Sequence, residues 1–247
     1  MDEVRIALAA EKLFNIGPIP ITNSLITTWL VTLILLAFAF FATRKMSAVP
    51  YGLQNIAEFM VDSLRDLVYS VAHDKTKIFL PIIASFFFFI LFGNYLGLLP
   101  GVGSIGFYQE HEGAKVFVPY LRAINSDLNT TAALALVSVI ATHFFAIRFL
   151  GLGGYIGKFL SLNPIFLFVG LLELIGEATK VLSLSFRLFG NIFAGEVLLT
   201  TATTKLFAYI VPIPFYFLEI LVGFIQALIF AMLTLVFMVI LTQKEEH

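Results

Sequence analysis

The feature that most restricts how this chain folds is a series of apolar stretches, each about as long as a bilayer is thick. A hydrocarbon core of about 30 Å needs about 20 apolar residues as a helix, and lipid admits only backbones that satisfy their own hydrogen bonds. Residues 21–43, 78–99 and 128–150 each meet that length with few charges. Two further segments, 164–204 and 215–242, are longer than a vertical crossing needs. The first would make a helix of about 60 Å at 1.5 Å per residue, so both are expected to lie strongly inclined. The expected fold is an all-α polytopic membrane protein, one domain over residues 1–247, with about five membrane helices, the last two long, tilted and antiparallel. Composition agrees: 60% of the residues are hydrophobic and 13% charged, far from an ordinary soluble domain.

The segments between the spans differ in kind. Over residues 51–74, Ile56, Phe59, Met60, Leu64, Leu67, Val68 and Val71 recur at helical spacing, while Glu58, Asp62, Arg65 and Asp66 take the other side. That pattern predicts an amphipathic interfacial helix. The stretch 100–126 is rich in Gly and polar groups and reads as a loop, and residues 1–20 carry acids without the basic start of a cleaved signal. Arg44, Lys45, Lys75 and Lys77 cluster between the first two spans, and Arg148 and Lys158 follow the third. Basic residues near span ends mark cytoplasmic loops. The N-terminus, the 100–126 loop and the 205–214 turn are therefore expected outside and the C-terminus inside. A net charge of −1 gives no reason to expect a nucleic-acid partner, and zero Cys excludes disulfides, thiolate metal sites and a Cys nucleophile. No metal or cofactor is expected.

Charges at bilayer depth cost roughly 3 kcal/mol each on insertion scales, so they face protein or water and mark a pathway by default. The segment "SLSFRLFGNIFAGEVLL" holds two, Arg187 and Glu196. Glu173, Lys180, Ser183 and Asn191 all fall within about 40° of Arg187 around a helix, forming one polar stripe, whereas Glu196 lies about 180° away. Arg187 and Glu196 thus face different compartments. The last segment supplies Glu219 and Gln226, seven residues apart and on one face. Folded back antiparallel, it brings Glu219 to the depth of Glu196 and Gln226 to the depth of Arg187, in nearly one register. Two carboxylates close together cannot both ionise freely, which suits a proton relay. Arg187 stays cationic under all biological conditions and suits a gate. Gln226 and Asn191 can each offer it an amide carbonyl. His143 reads as a packing residue and Asp127 as the cap that starts the third span.

Three stretches carry a resemblance to a known family: "SLSFRLFGNIFAGE" at 183–196, "IQALIFAMLTLVF" at 225–237 and "INSDLNTTAALAL" at 124–136. Together they resemble subunit a of the F-type ATP synthase, the membrane stator beside the rotating c-ring, from about Ile21 onward. The resemblance implies that Arg187 is the family's essential arginine, that Asn191 and Glu196 are the polar residues following it, and that Gln226 is the glutamine of the last helix. It also implies that Glu219 stands where the family has His or an acid, and that Glu173 lies toward the cytoplasmic exit. The implied function is to carry protons through two offset half-channels to and from rotor carboxylates, coupling ion flow to ATP synthesis or hydrolysis, with no nucleotide chemistry on this chain. The implied partners are the c-ring of small hairpin subunits, the peripheral-stalk subunit b, other synthase subunits and the lipid bilayer. The implied location is the bacterial cell inner membrane. The alternative, a secondary ion-coupled transporter, predicts inverted repeats, and no repeat relates the two halves of this sequence. A purely structural subunit would leave the depth-matched polar pairs unexplained. The N-terminal 20 residues and the 103–122 loop match nothing specific.

Overall fold

The computed structural model describes residues 10–99, 101–103, 105–111, 114–159, 164–205 and 212–243. Most of the 205–214 turn and the last four residues of the C-terminal tail lie outside the described residues. Six helices dominate: α1 (Asn23–Thr43), α2 (Leu53–Ala72), α3 (Thr76–Gly97), α4 (Leu128–Phe159), α5 (Pro164–Lys205) and α6 (Pro212–Leu241). Among the described residues, five helical stretches are long and apolar enough to cross a membrane. It is an all-α multi-pass membrane protein. Its surface inverts the usual order, with Trp29, Leu33, Leu36 and Phe40 of α1 exposed while Asn23, Ser24 and Thr27 of the same helix are buried. Such a helix is solvated by lipid along its flank and by protein at one end.

Local chemistry sets the helix ends. Thr22 caps α1 by accepting a hydrogen bond at Oγ1 from the Leu25 amide, 3.3 Å away. α5 and α6 both open on proline, whose missing N–H costs nothing in a first turn. Asp127 precedes α4 and accepts the Asn129 amide at 3.2 Å, the capping geometry its position predicts. It also accepts the Ser24 hydroxyl at 3.0 Å and so ties α4 to α1. α4 bends at Gly151, where φ 75 and ψ 163 leave the helical region in a conformation open to glycine. At the other end of the bundle, Lys75 donates to the Thr242 carbonyl at 3.0 Å, and Lys158 reaches the Ile240 and Leu241 carbonyls at 3.5 Å. Both cations sit where the α6 dipole ends negative.

The core is built from α2 to α6, with Val68, Phe79, Ile83, Ile90, Ala135, Leu188, Leu235 and Met238 almost wholly enclosed. Close helix approach relies on small residues, Ala227 and Ala231 on α6 being fully buried. Polar side chains then join neighbours across the core: Ser138 to Thr234 at 2.8 Å, Thr131 to Ser185 at 3.2 Å, and Asn94 to the Gly223 carbonyl at 3.0 Å. α2 is amphipathic, as its pattern predicts. Leu64, Val68 and Ala72 pack inward while Asp62, Arg65 and Asp66 are exposed, although Ile56 and Phe59 also remain uncovered.

Two additions to the helical plan stand at one end of the bundle. Strands β1 (Lys12–Ile16) and β2 (Ile19–Thr22) pair antiparallel ahead of α1, and β3 (Gly106–His111) and β4 (Ala114–Pro119) form a second hairpin inside the expected 100–126 loop. The two lie close together, since Asn23 at the end of β2 donates from Nδ2 to the Pro119 carbonyl at the end of β4, 3.3 Å away.

Candidate functional site

α5 and α6 run antiparallel in the register that their polar residues predict. The Glu219 carboxylate lies directly against the Gly195 backbone, close enough that a Cβ on Gly195 would overlap it. Nearer the middle of the pair, Arg187, Leu184 and Leu188 of α5 line one recess with Gln226, Ile229 and Phe230 of α6. Glycine at 195 is therefore what lets a carboxylate enter the helix interface at this level.

The polar groups divide among three places. At the hairpin end, Glu196 pairs with Arg122, whose Nε is 3.7 Å from Oε1; the guanidinium is 5% exposed and the carboxylate 31%. Arg122 is held from several sides: its Nε donates to Ser126 Oγ at 3.0 Å, and its amide donates to Thr27 Oγ1 at 3.2 Å. Glu219 is buried against the Gly195 backbone, next in sequence to Glu196. The second carboxylate oxygen of Glu196 is buried without a hydrogen-bond partner among the described residues.

At mid-height, Arg187 is exposed on the opposite side of α5 and, among the described residues, donates only to Ser183 Oγ, 3.4 Å away one turn back. Asn191 is exposed on the same stripe. The expected hydrogen bonds from Arg187 to Gln226 or Asn191 are not made: Gln226 borders the same recess from a buried position, and Asn191 points outward with the guanidinium. No described element covers Ser183, Phe186, Arg187, Gly190, Asn191 or Ala194, all exposed. A permanent cation is thus presented on a helix face that the described elements leave open.

Toward the other end of α5, the stripe reaches Glu173, half-buried, and Lys180. Lys180 does not pair with Glu173. Its ammonium lies 2.5 Å from Glu177 Oε1 and 4.7 Å from the Phe237 ring centroid. Glu177 is 6% exposed, and its other oxygen lies 3.6 Å from His143 Nε2, while His143 Nδ1 meets the Tyr155 hydroxyl at 3.1 Å. His143 therefore packs with polar partners, Glu177 and Tyr155.

Sequence reasoning missed Glu177 and Arg122. Glu177 sits about 80° round the helix from Arg187, outside the narrow stripe used to select residues. It is nonetheless three residues before Lys180, an ordinary spacing for a helical ion pair. Arg122 lies in an irregular segment before the short turn Ile124–Ser126, where helical periodicity gives no facing. Among the described residues no group of three or more His, Cys, Asp or Glu is arranged to hold a metal ion.

Comparison with known proteins follows the same lines. The sequence model of the family described as ATP synthase A chain matches residues 25–239. The chain is 36% identical over 226 residues to ATP synthase subunit a of Moorella thermoacetica, covering 92% of this chain and 93% of the relative. It is 36% identical over 232 residues to ATP synthase subunit a 2 of a Bradyrhizobium species, covering 93% of each. With subunit a of Gloeobacter violaceus it shares 37% over 223 residues, 90% of this chain and 84% of the relative.

Proposed function

This chain belongs to the ATP synthase A chain family, and from that premise we propose that it forms two offset half-channels beside the rotor ring. The observation that carries this is the opposition across α5: Arg187 faces outward from a bare polar stripe, while Glu196 turns inward to Arg122 at the hairpin end. One half-channel opens at the hairpin end and delivers protons through Glu196 and Glu219. The rotor carboxylate accepts the proton, becomes neutral and travels through lipid for almost a full turn. It then releases the proton near Arg187 into the second half-channel, which leads past Glu173 to the opposite end.

Arg187 does no acid–base chemistry, because a guanidinium keeps its proton. Its task is to draw the rotor carboxylate into its ionised form and to oppose proton passage straight from one half-channel to the other. At membrane depth that cation is costly unless an anion or water faces it. The open face supports a carboxylate-bearing partner for this reason. Gln226 and Asn191 flank the site as neutral groups able to accept and donate hydrogen bonds as the rotor passes.

Partners in this proposal are the c-ring against the Arg187 face, the peripheral-stalk subunit b and the remaining synthase subunits. The membrane is the bacterial inner membrane. The hairpins face outward, and the end capped by Lys75 and Lys158 faces the cytoplasm, in line with the basic residues gathered there. The test is Arg187→Ala in the assembled complex. Proton-driven ATP synthesis is expected to be abolished while the complex still assembles, and Arg187→Lys to be severely impaired because it lacks the planar donor fork. Coupled synthesis at the wild-type rate in Arg187→Ala would reject the gate.

A further inference from the structure

The inlet carboxylate Glu196 is tied to a part of the chain that helical pattern alone left without a role. Its partner Arg122 is buried between α1, through Thr27, and the Ile124–Ser126 turn. Glu11, just ahead of β1, lies within electrostatic reach of both Arg122 and Glu196. Glu11 is fixed there by a reciprocal set of bonds with Asn23: its amide donates to Asn23 Oδ1 at 3.2 Å, Asn23 Nδ2 donates to Glu11 Oε2 at 3.3 Å, and the Asn23 amide donates to the Glu11 carbonyl at 3.1 Å. Asn23 is itself fully buried and bonded to the second hairpin. One cation is therefore paired with an acid from α5 and within electrostatic reach of an acid from the N-terminal segment, with an oxygen of the former acid buried and unpartnered among the described residues.

We propose that Glu11 is the outermost carboxylate of the inlet and that Arg122 is a positioning residue shared between Glu11 and Glu196. This rests on the half-channel proposal above. A proton from bulk water binds the Glu11 carboxylate, which becomes neutral. Arg122 holds the Glu196 carboxylate in place as the next acceptor. Transfer of the proton from Glu11 to Glu196, directly or through water, restores the Glu11 charge and neutralises Glu196. Arg122 neither takes up nor gives up a proton at any point, and the sum of charges in the group changes only by the proton carried. Burial pushes the Glu11 carboxyl above the ordinary carboxylate range, Arg122 opposes that rise and Glu196 adds to it. Among the described residues, the ionisable groups on the neighbouring elements are Glu219 of α6, packed on Gly195, and Asp127 next to Ser126, bonded to Ser24 of α1. Tyr95 of α3 lies one turn along, near Gly223.

The experiment uses the complete synthase in sealed vesicles, with passive proton conductance through the membrane sector measured while the pH is varied separately on each side. Glu11→Gln keeps an acceptor for Asn23 but cannot carry a proton. The outer proton concentration giving half-maximal conductance is expected to change by at least about threefold, roughly half a pH unit, with the inner-side dependence unchanged. Arg122→Lys keeps a charge and should retain part of the conductance, whereas Arg122→Ala should lose most of it. An unaltered outer pH profile in Glu11→Gln, or full conductance in Arg122→Ala, would overturn the inference. Glu196→Gln separates the two levels: if it blocks conductance while Glu11→Gln and Arg122→Lys match wild type, the half-channels stand and the mouth proposed here does not. If Glu196→Gln conducts normally, the inlet itself is elsewhere and both fail.

Discussion

Gly195 decides how near Glu219 can come to the polar group around Glu196. An alanine there would place its methyl group on the Glu219 carboxylate. Overfilling a packed interface costs about 1–3 kcal/mol, and a carboxylate at the end of a side chain moves more readily than two helices separate. Gly195→Ala is therefore expected to assemble but to conduct protons at least about tenfold more slowly, since about 1.4 kcal/mol in a barrier is tenfold in rate. Conductance measured on vesicles with matched complex content checks this, and a wild-type rate would mean that Glu219 need not occupy the interface. Arg187 and Glu196 were recognisable from sequence because both sit on one uninterrupted helix, where residue number converts to angle. Glu177 shows the limit of that conversion. Its partners His143 and Tyr155 come from α4, and nothing in the α5 sequence announces them.

At the level of elements, the antiparallel α5/α6 register followed from two polar pairs, and Gly195 against Glu219 with Arg187 beside Gln226 bears it out. The chain contains no Cys, so a pair introduced at 196 and 219 has a clean background. That pair is expected to form a disulfide under mild oxidation, whereas pairs displaced by two helical turns should not; mobility on a non-reducing gel reports the result. The hairpins were not legible, because short strands of mixed polarity between Gly and Pro look like loop until a partner strand is known. The first of them makes a further prediction. Glu11 carries a folded-state pKa raised chiefly by burial, so the docked segment binds protons more tightly than the free one. Docking is then strongest below the ordinary Glu range and weakens as pH rises through the raised value. Limited proteolysis of residues 10–22 in the complex should accelerate over that window, and Glu11→Gln should remove the acceleration.

Across the whole molecule, charge is distributed by depth and side: Glu11, Arg122, Glu196 and Glu219 at the hairpin end, Arg187 exposed at mid-height, and Glu173, Glu177 and Lys180 toward the far end. A single pore through the chain would join these groups and short-circuit any gradient. The two half-channels proposed above would keep them apart and make the rotor the only connection. Single Cys substitutions at 173 and 196, labelled in sealed vesicles of both orientations with a membrane-impermeant thiol reagent, distinguish the two most directly. Cys at 196 is predicted to react from the hairpin side and Cys at 173 only from the cytoplasmic side. Equal labelling of either position from both faces would contradict separate half-channels, even if Arg187 proved indispensable.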